Sequence, residues 1–76
     1  MERKFFYTYN DEDGALFSCN CSCPFDAEEL RSEIQSIAGA SLEQDGSLVY
    51  FLVSDTDVDD AVGELEDMHE ISSVEG

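Results

Sequence analysis

The sequence predicts an α+β domain in two layers, a mainly antiparallel sheet of about four or five strands with two helices on one face. Three observations predict it. Short β-prone runs are aromatic, alternating or apolar on both parities; two longer segments repeat apolar residues at helical spacing; Gly, Pro, Asn and Asp stand at the borders between them. A length of 76 residues supports one hydrophobic core, so residues 1–76 are expected to form a single domain.

"KFFYTY" (4–9) is aromatic and β-prone, "NDEDG" (10–14) is turn chemistry, and "ALFSCNCS" (15–22) alternates strictly, which together predict a hairpin. On the second strand Ala15, Phe17, Cys19, Cys21 and Cys23 share one parity, expected to face the core, with the cysteines acting as small apolar residues. Pro24 is expected to end that strand. "DAEE" (26–29) is a variant of the capping box and predicts a helix over about 27–38, with Leu30, Ile34 and Ile37 on one stripe and Gly39 as its stop.

"SLEQDGS" (41–47) carries an Asp-Gly turn beside a short strand, and "LVYFLV" (48–53), apolar on both parities, suits a central strand. In "SDTDVDDAVGELEDMHE" (54–70), Val58, Ala61, Val62, Leu65 and Met68 recur at helical spacing while carboxylates fill the other positions. Asp55 or Thr56 is the expected cap, and Asp57, Asp59 and Asp60 fall in the first turn, where the helix dipole favours negative charge. "EISSVE" (70–75) predicts a short edge strand. From "ALFSCNCS" onward the order is the βαββαβ of a ferredoxin-like two-layer sandwich.

Charge dominates the chemistry. Nineteen Asp and Glu stand against three Lys and Arg, for a net charge of −16, and no Lys or Arg follows Arg31. Five Phe and three Tyr, with 42% hydrophobic residues, separate the chain from an acidic disordered tail, because apolar burial can offset chain entropy. No segment approaches the roughly 20 apolar residues of a membrane span, and no charged leader precedes an apolar run, so a soluble, cytosolic protein is expected. Anionic lipid and nucleic acid would be repelled, which makes a basic protein the expected partner.

Metal and catalytic readings are weaker. Asp55, Asp57, Asp59 and Glu66 follow EF-hand ligand spacing, but Asp60 stands where the loop needs Gly, and ligands along a helix do not converge. Cys19, Cys21, Cys23 and His69 could suggest zinc, yet alternate cysteines on a strand lie about 6.6 Å apart and the outer pair about 13 Å. "CSCPFDAEEL" resembles the first strand-helix connection of heavy-metal-associated domains without their M-x-C-x-x-C signature. With a single histidine and no glycine-rich phosphate loop, neither enzyme activity nor a cofactor or metal is expected. Cys23 at a helix N-terminus is the one thiol placed for activation.

The candidate partner-binding residues are Asp55, Asp57, Asp59, Asp60, Glu64, Glu66 and Asp67 on the second helix and its approach, with Glu28, Glu29 and Glu33 on the first. In size, charge and element order the chain resembles the small acidic phage-encoded anti-CRISPR proteins, DNA mimics with an anionic ferredoxin-like fold. That resemblance implies occupation of the positively charged DNA-binding surface of a type I Cascade subunit, block of target DNA, no cofactor, and a location in the host cytoplasm. The alternative is an acidic, halophile-type interaction domain without DNA mimicry, in which a lysine-poor acidic surface is general.

Overall fold

The N-terminal hairpin lies at the centre of the sheet. In the computed structural model, which describes residues 3–10 and 14–74, β1 (Lys4–Asn10) and β2 (Gly14–Asn20) pair antiparallel with Tyr7 opposite Phe17. β2 then pairs with β4 (Leu48–Val53), placing Phe17 opposite Phe51, and the short β3 (Glu43–Asp45) closes that edge. β5 (Glu70–Ser73) lies on the other side of β1 and runs parallel to it. The five-stranded order is β3-β4-β2-β1-β5. The turn expected at Asp11, Glu12 and Asp13 falls outside the described residues.

This arrangement is a ferredoxin-like βαββαβ unit, from β2 to β5, with β1 inserted between its first and last strands. The insertion explains the single parallel pairing. β4 and β5 run the same way, as a helical crossover requires, and β1, antiparallel to β2, shares that direction.

Strand alternation sends Phe5, Phe17, Cys19, Val49, Phe51 and Val53 to one face, where α1 (Pro24–Ala38) covers them with Ala27, Leu30, Ile34 and Ala38. α2 (Val58–Glu66) completes the core with Val58, Ala61 and Leu65. Gly14 at the start of β2 has φ +98°, and a Cβ there would lie 1.9 Å from the Val53 carbonyl oxygen, so the hairpin closes against β4 only with glycine. Gly39 ends α1 as expected, its N–H donating to the Gln35 carbonyl.

Three boundary expectations are corrected. Pro24 does not end a strand: β2 stops at Asn20, the Cys21 N–H donates to the Ser47 carbonyl (2.8 Å), and Pro24 opens α1. Its fixed φ and missing N–H suit the first helical position. The "DAEE" capping box does not form, because the helix is already running at Asp26, and Cys23 caps it without a side-chain bond. Neither Asp55 nor Thr56 caps α2. A 3-10 turn over Asp55–Asp57 precedes it, Asp57 is the capping residue without a side-chain cap bond, and Ser54 organises the turn by donating from its hydroxyl to the Asp57 carboxylate (2.9 Å).

Met68 also leaves its expected stripe and is exposed. α2 ends at Glu66, the Leu65 carbonyl accepts from the N–H groups of both Met68 and His69, and this tightened turn puts His69 into the core.

Candidate interaction surface

α2 is held by an apolar side too narrow to occupy its other positions. Asp60, Glu64 and Asp67 follow i, i+4, i+7, Asp59 and Glu66 are i, i+7, and all five are exposed. Same-face neighbours on a helix lie about 5–6 Å apart at Cβ, so Asp60, Glu64 and Asp67 form one close row, while Asp59 and Glu66, two turns apart, lie about 10 Å from each other along the axis. Glu66 and Asp67 crowd the helix C-terminus, where the dipole disfavours negative charge and no basic residue compensates. Their placement therefore opposes helix stability.

Asp57, Asp60 and Glu64 border a cleft of about 590 Å³ between α2 and the C-terminal half of α1, with Ile37, Ala38 and Val53 among its apolar lining residues. Asp55 accepts a hydrogen bond from the Tyr9 hydroxyl, and Asp57 accepts from Ser54, so these two are oriented by the fold. Among the described residues, no salt bridge reaches a carboxylate of α2 or its 3-10 turn.

On α1, Glu28, Glu29 and Glu33 are all exposed, and among the described residues Glu33 alone of the three has ionic or ring partners. Arg3 donates to Asp26 (2.6 Å) and to Glu33 (3.3 Å), and the His69 ring contacts Glu33 through Nε2 (2.9 Å). His69 Nδ1 accepts the Arg3 backbone N–H (3.2 Å), so its proton resides on Nε2, which donates to Glu33. The buried ring lies 5.4 Å from that of Phe5. Glu33 thus ties the N-terminus and the α2–β5 turn to α1. It serves the architecture and is also exposed on the acidic surface.

The Arg3 guanidinium, through its hydrogen bond, holds the Asp26 carboxyl below its usual value of 3.8, and Asp26 raises Arg3 in return. A carboxyl with a depressed folded-state pKa contributes stability above its unfolded value and loses that contribution as pH falls through the folded one. The difference in urea midpoint between the wild type and Asp26→Asn should therefore be constant above about pH 5 and shrink steadily below about pH 4. A gap that grew on acidification would contradict this pairing.

The shared core role expected for the three cysteines does not hold. Cys19 is buried and its thiol is pushed up to about 12 by desolvation; Cys21 is half-buried and raised for the same first reason, with Asp26 next; Cys23 is exposed. The strand that would have carried the alternation ends at Asn20. With a thiol reagent at neutral pH, Cys23 should react within the dead time of manual mixing, Cys21 more slowly, and Cys19 only on unfolding. Mass spectrometry of the labelled peptides resolves the order.

The EF-hand spacing is laid out along helical backbone: from Asp55 to Glu66 the chain advances about 16 Å, at about 1.5 Å per residue. Among the described residues, no group of three or more His, Cys, Asp or Glu is arranged to hold a metal ion. No described helix is long and apolar enough to cross a membrane.

One surface feature was not among the expected site residues. Phe25 is 81% exposed, one turn before Glu28 and Glu29 on α1. The signal was available in the helical phase, since Ala27, Leu30, Ile34 and Ala38 define a buried stripe from which Phe25 is offset. Comparison of the chain with protein-family models, with curated proteins and with solved structures finds no match.

Proposed function

We propose that the protein is a DNA mimic of the anti-CRISPR kind, whose acidic helix layer occupies the positively charged DNA-binding surface of a type I Cascade subunit and excludes target DNA. The observation that carries this reading is the unneutralised set of carboxylates on α2, continued by Glu28 and Glu29 on α1. Magnitudes support it. The long dimension of the molecule is 32 Å, over which B-DNA carries about 19 phosphate charges at one per roughly 1.7 Å, against a net −16 here. Within the row Asp60, Glu64 and Asp67, neighbours about 5–6 Å apart are close to the roughly 7 Å between successive phosphates on one strand. A basic groove would gain from this surface the steering and counterion release that it gains from DNA. Phe25 adds an apolar anchor beside the acidic residues.

The test is competition. Purified type I Cascade, labelled target DNA and this protein are mixed at rising salt; displacement of DNA at low micromolar protein, weakening steeply with salt, is the expected result. No displacement at low salt from any type I complex tried would sink the proposal.

A mimic of this kind keeps its shape in an ordinary cytoplasm. We expect a cooperative thermal transition by circular dichroism at about 0.1 M KCl, where the Debye length is about 10 Å, shifting upward as salt screens self-repulsion. A chain unfolded below about 1 M salt, where screening reaches about 3 Å, would point instead to halophilic adaptation.

A further inference from the structure

The sheet has a second face, opposite the helices, with no covering layer among the described residues. The alternation that buries Phe5, Phe17 and Phe51 directs Phe6, Leu16, Leu48, Tyr50 and Leu52 outward, and Val74 follows in the same phase just beyond β5. Register brings these residues close together. Leu16 is directly opposite Leu52; Phe6 and Tyr50 are its diagonal neighbours; Val74, whose N–H donates to the Tyr7 carbonyl, stands next to Thr8 and diagonal to Phe6. Leu16 is 48% exposed, Leu52 45% and Phe6 39%; with Ser18 opposite both Phe6 and Tyr50, and Thr8 opposite Leu16, the face is an apolar patch centred on Leu16 and Leu52 with small polar residues interspersed.

Charge marks its margins. On the β3 edge Glu43 stands opposite Tyr50 and Asp45 opposite Leu48, and together they raise the Tyr50 phenol pKa, Glu43 most. On the other side Lys4 stands opposite Glu70, with its ammonium 5.3 Å from the Phe6 ring centroid. The occupant must match an apolar stripe rimmed mostly by carboxylates. A second copy would bring two chains of net charge −16 face to face. Anionic lipid and nucleic acid meet the same repulsion. From β5 to β4 the stripe crosses three strand intervals, about 14 Å at about 4.8 Å each, which matches about nine or ten residues of helix.

We propose that the open sheet face binds an amphipathic helix of a partner protein, apolar along one side and flanked by Lys or Arg, lying across the strands. The site is distinct from the acidic helix layer and does not depend on what that layer binds. Two synthetic helical peptides of about 18 residues and identical composition serve as probes, one with a Leu stripe flanked by Lys, the other with its Leu positions scrambled around the helix. By titration calorimetry at about 0.15 M salt, the stripe peptide should bind at least about tenfold tighter. Leu16→Ser/Leu52→Ser should erase that preference, Glu43→Gln/Asp45→Asn should weaken it about two- to fivefold, and Glu66→Lys/Asp67→Lys should leave it intact.

Methyl chemical shifts of Leu16 and Leu52 in the wild type, moving with the stripe peptide only, give the same answer if the double serine variant is poorly folded. Equal binding of both peptides would mean general attraction to an acidic protein and would overturn the proposal. So would a preference that survives Leu16→Ser/Leu52→Ser, or a sedimenting dimer that this variant abolishes, which would make the occupant a second copy.

Discussion

Phe17→Ala should remove about 3–5 kcal/mol of folding stability, the usual loss for emptying a buried aromatic site. Phe17 has no exposed surface and is the middle ring of a ladder across three strands, with centroids 5.1 Å from Tyr7 on β1 and 5.1 Å from Phe51 on β4. Its removal leaves a cavity and breaks two stacked contacts, each worth about 0.5–1.5 kcal/mol beyond burial. A domain of this length has a total stability of roughly 4–11 kcal/mol, so the variant should be partly unfolded at room temperature in low salt. Self-repulsion from a net charge of −16 works in the same direction. Urea melts of the wild type, Phe17→Ala and Phe17→Leu check this, with Leu expected to recover part of the loss by partly filling the site. A Phe17→Ala loss below about 1 kcal/mol would mean that the hairpin does not centre the core.

Glu66→Lys with Asp67→Lys separates binding from folding. Both residues lie at the C-terminus of α2, where a carboxylate is unfavourable, and Lys there should stabilise the helix by about 0.3–1 kcal/mol per site while lowering the net negative charge. If α2 is the surface that meets a basic groove, the same two changes turn two attractions into repulsions. They should then weaken Cascade binding by about 2–4 kcal/mol, at about 1 kcal/mol or more per close pair. The predicted signature is a variant that melts at a higher temperature and displaces DNA roughly 30-fold or more less well. Adding Asp59→Lys should deepen the loss, because Asp59 lies on the same side of the helix as Glu66, two turns away. Unchanged DNA displacement by the triple variant would exclude α2 as the binding face, and the hairpin residues Asp11, Glu12 and Asp13 would be the next to test.

The free acidic residues were legible because a carboxylate off the apolar stripe of an amphipathic helix has nowhere to go but solvent. Asp59, Asp60, Glu64, Glu28 and Glu29 follow from periodicity alone. Glu33 was not separable from them in that way. It has the same helical phase as an exposed residue, and only the return of the chain at His69 and the position of Arg3 give it partners on both sides. Phe25 shows the converse, since its offset from the stripe was readable, but an aromatic residue near a helix start is ordinarily taken as core.

By itself the sequence determined the composition of the layers: which runs extend, which coil, which side of each is apolar, and that nearly all charge is negative and lies outside the core. These follow from local rules, alternation at period two and recurrence at period 3.6. The hairpin pairing of β1 with β2 was readable locally, but the insertion of β1 beside β5 was decided only by the tertiary structure, because Lys4 pairs with Glu70 from the other end of the chain and no local pattern contains that contact. The same holds for the cysteines. Parity assigned all three to the core, but the strand ends where Cys21 bonds to Ser47, a contact 26 residues away that no local pattern contains.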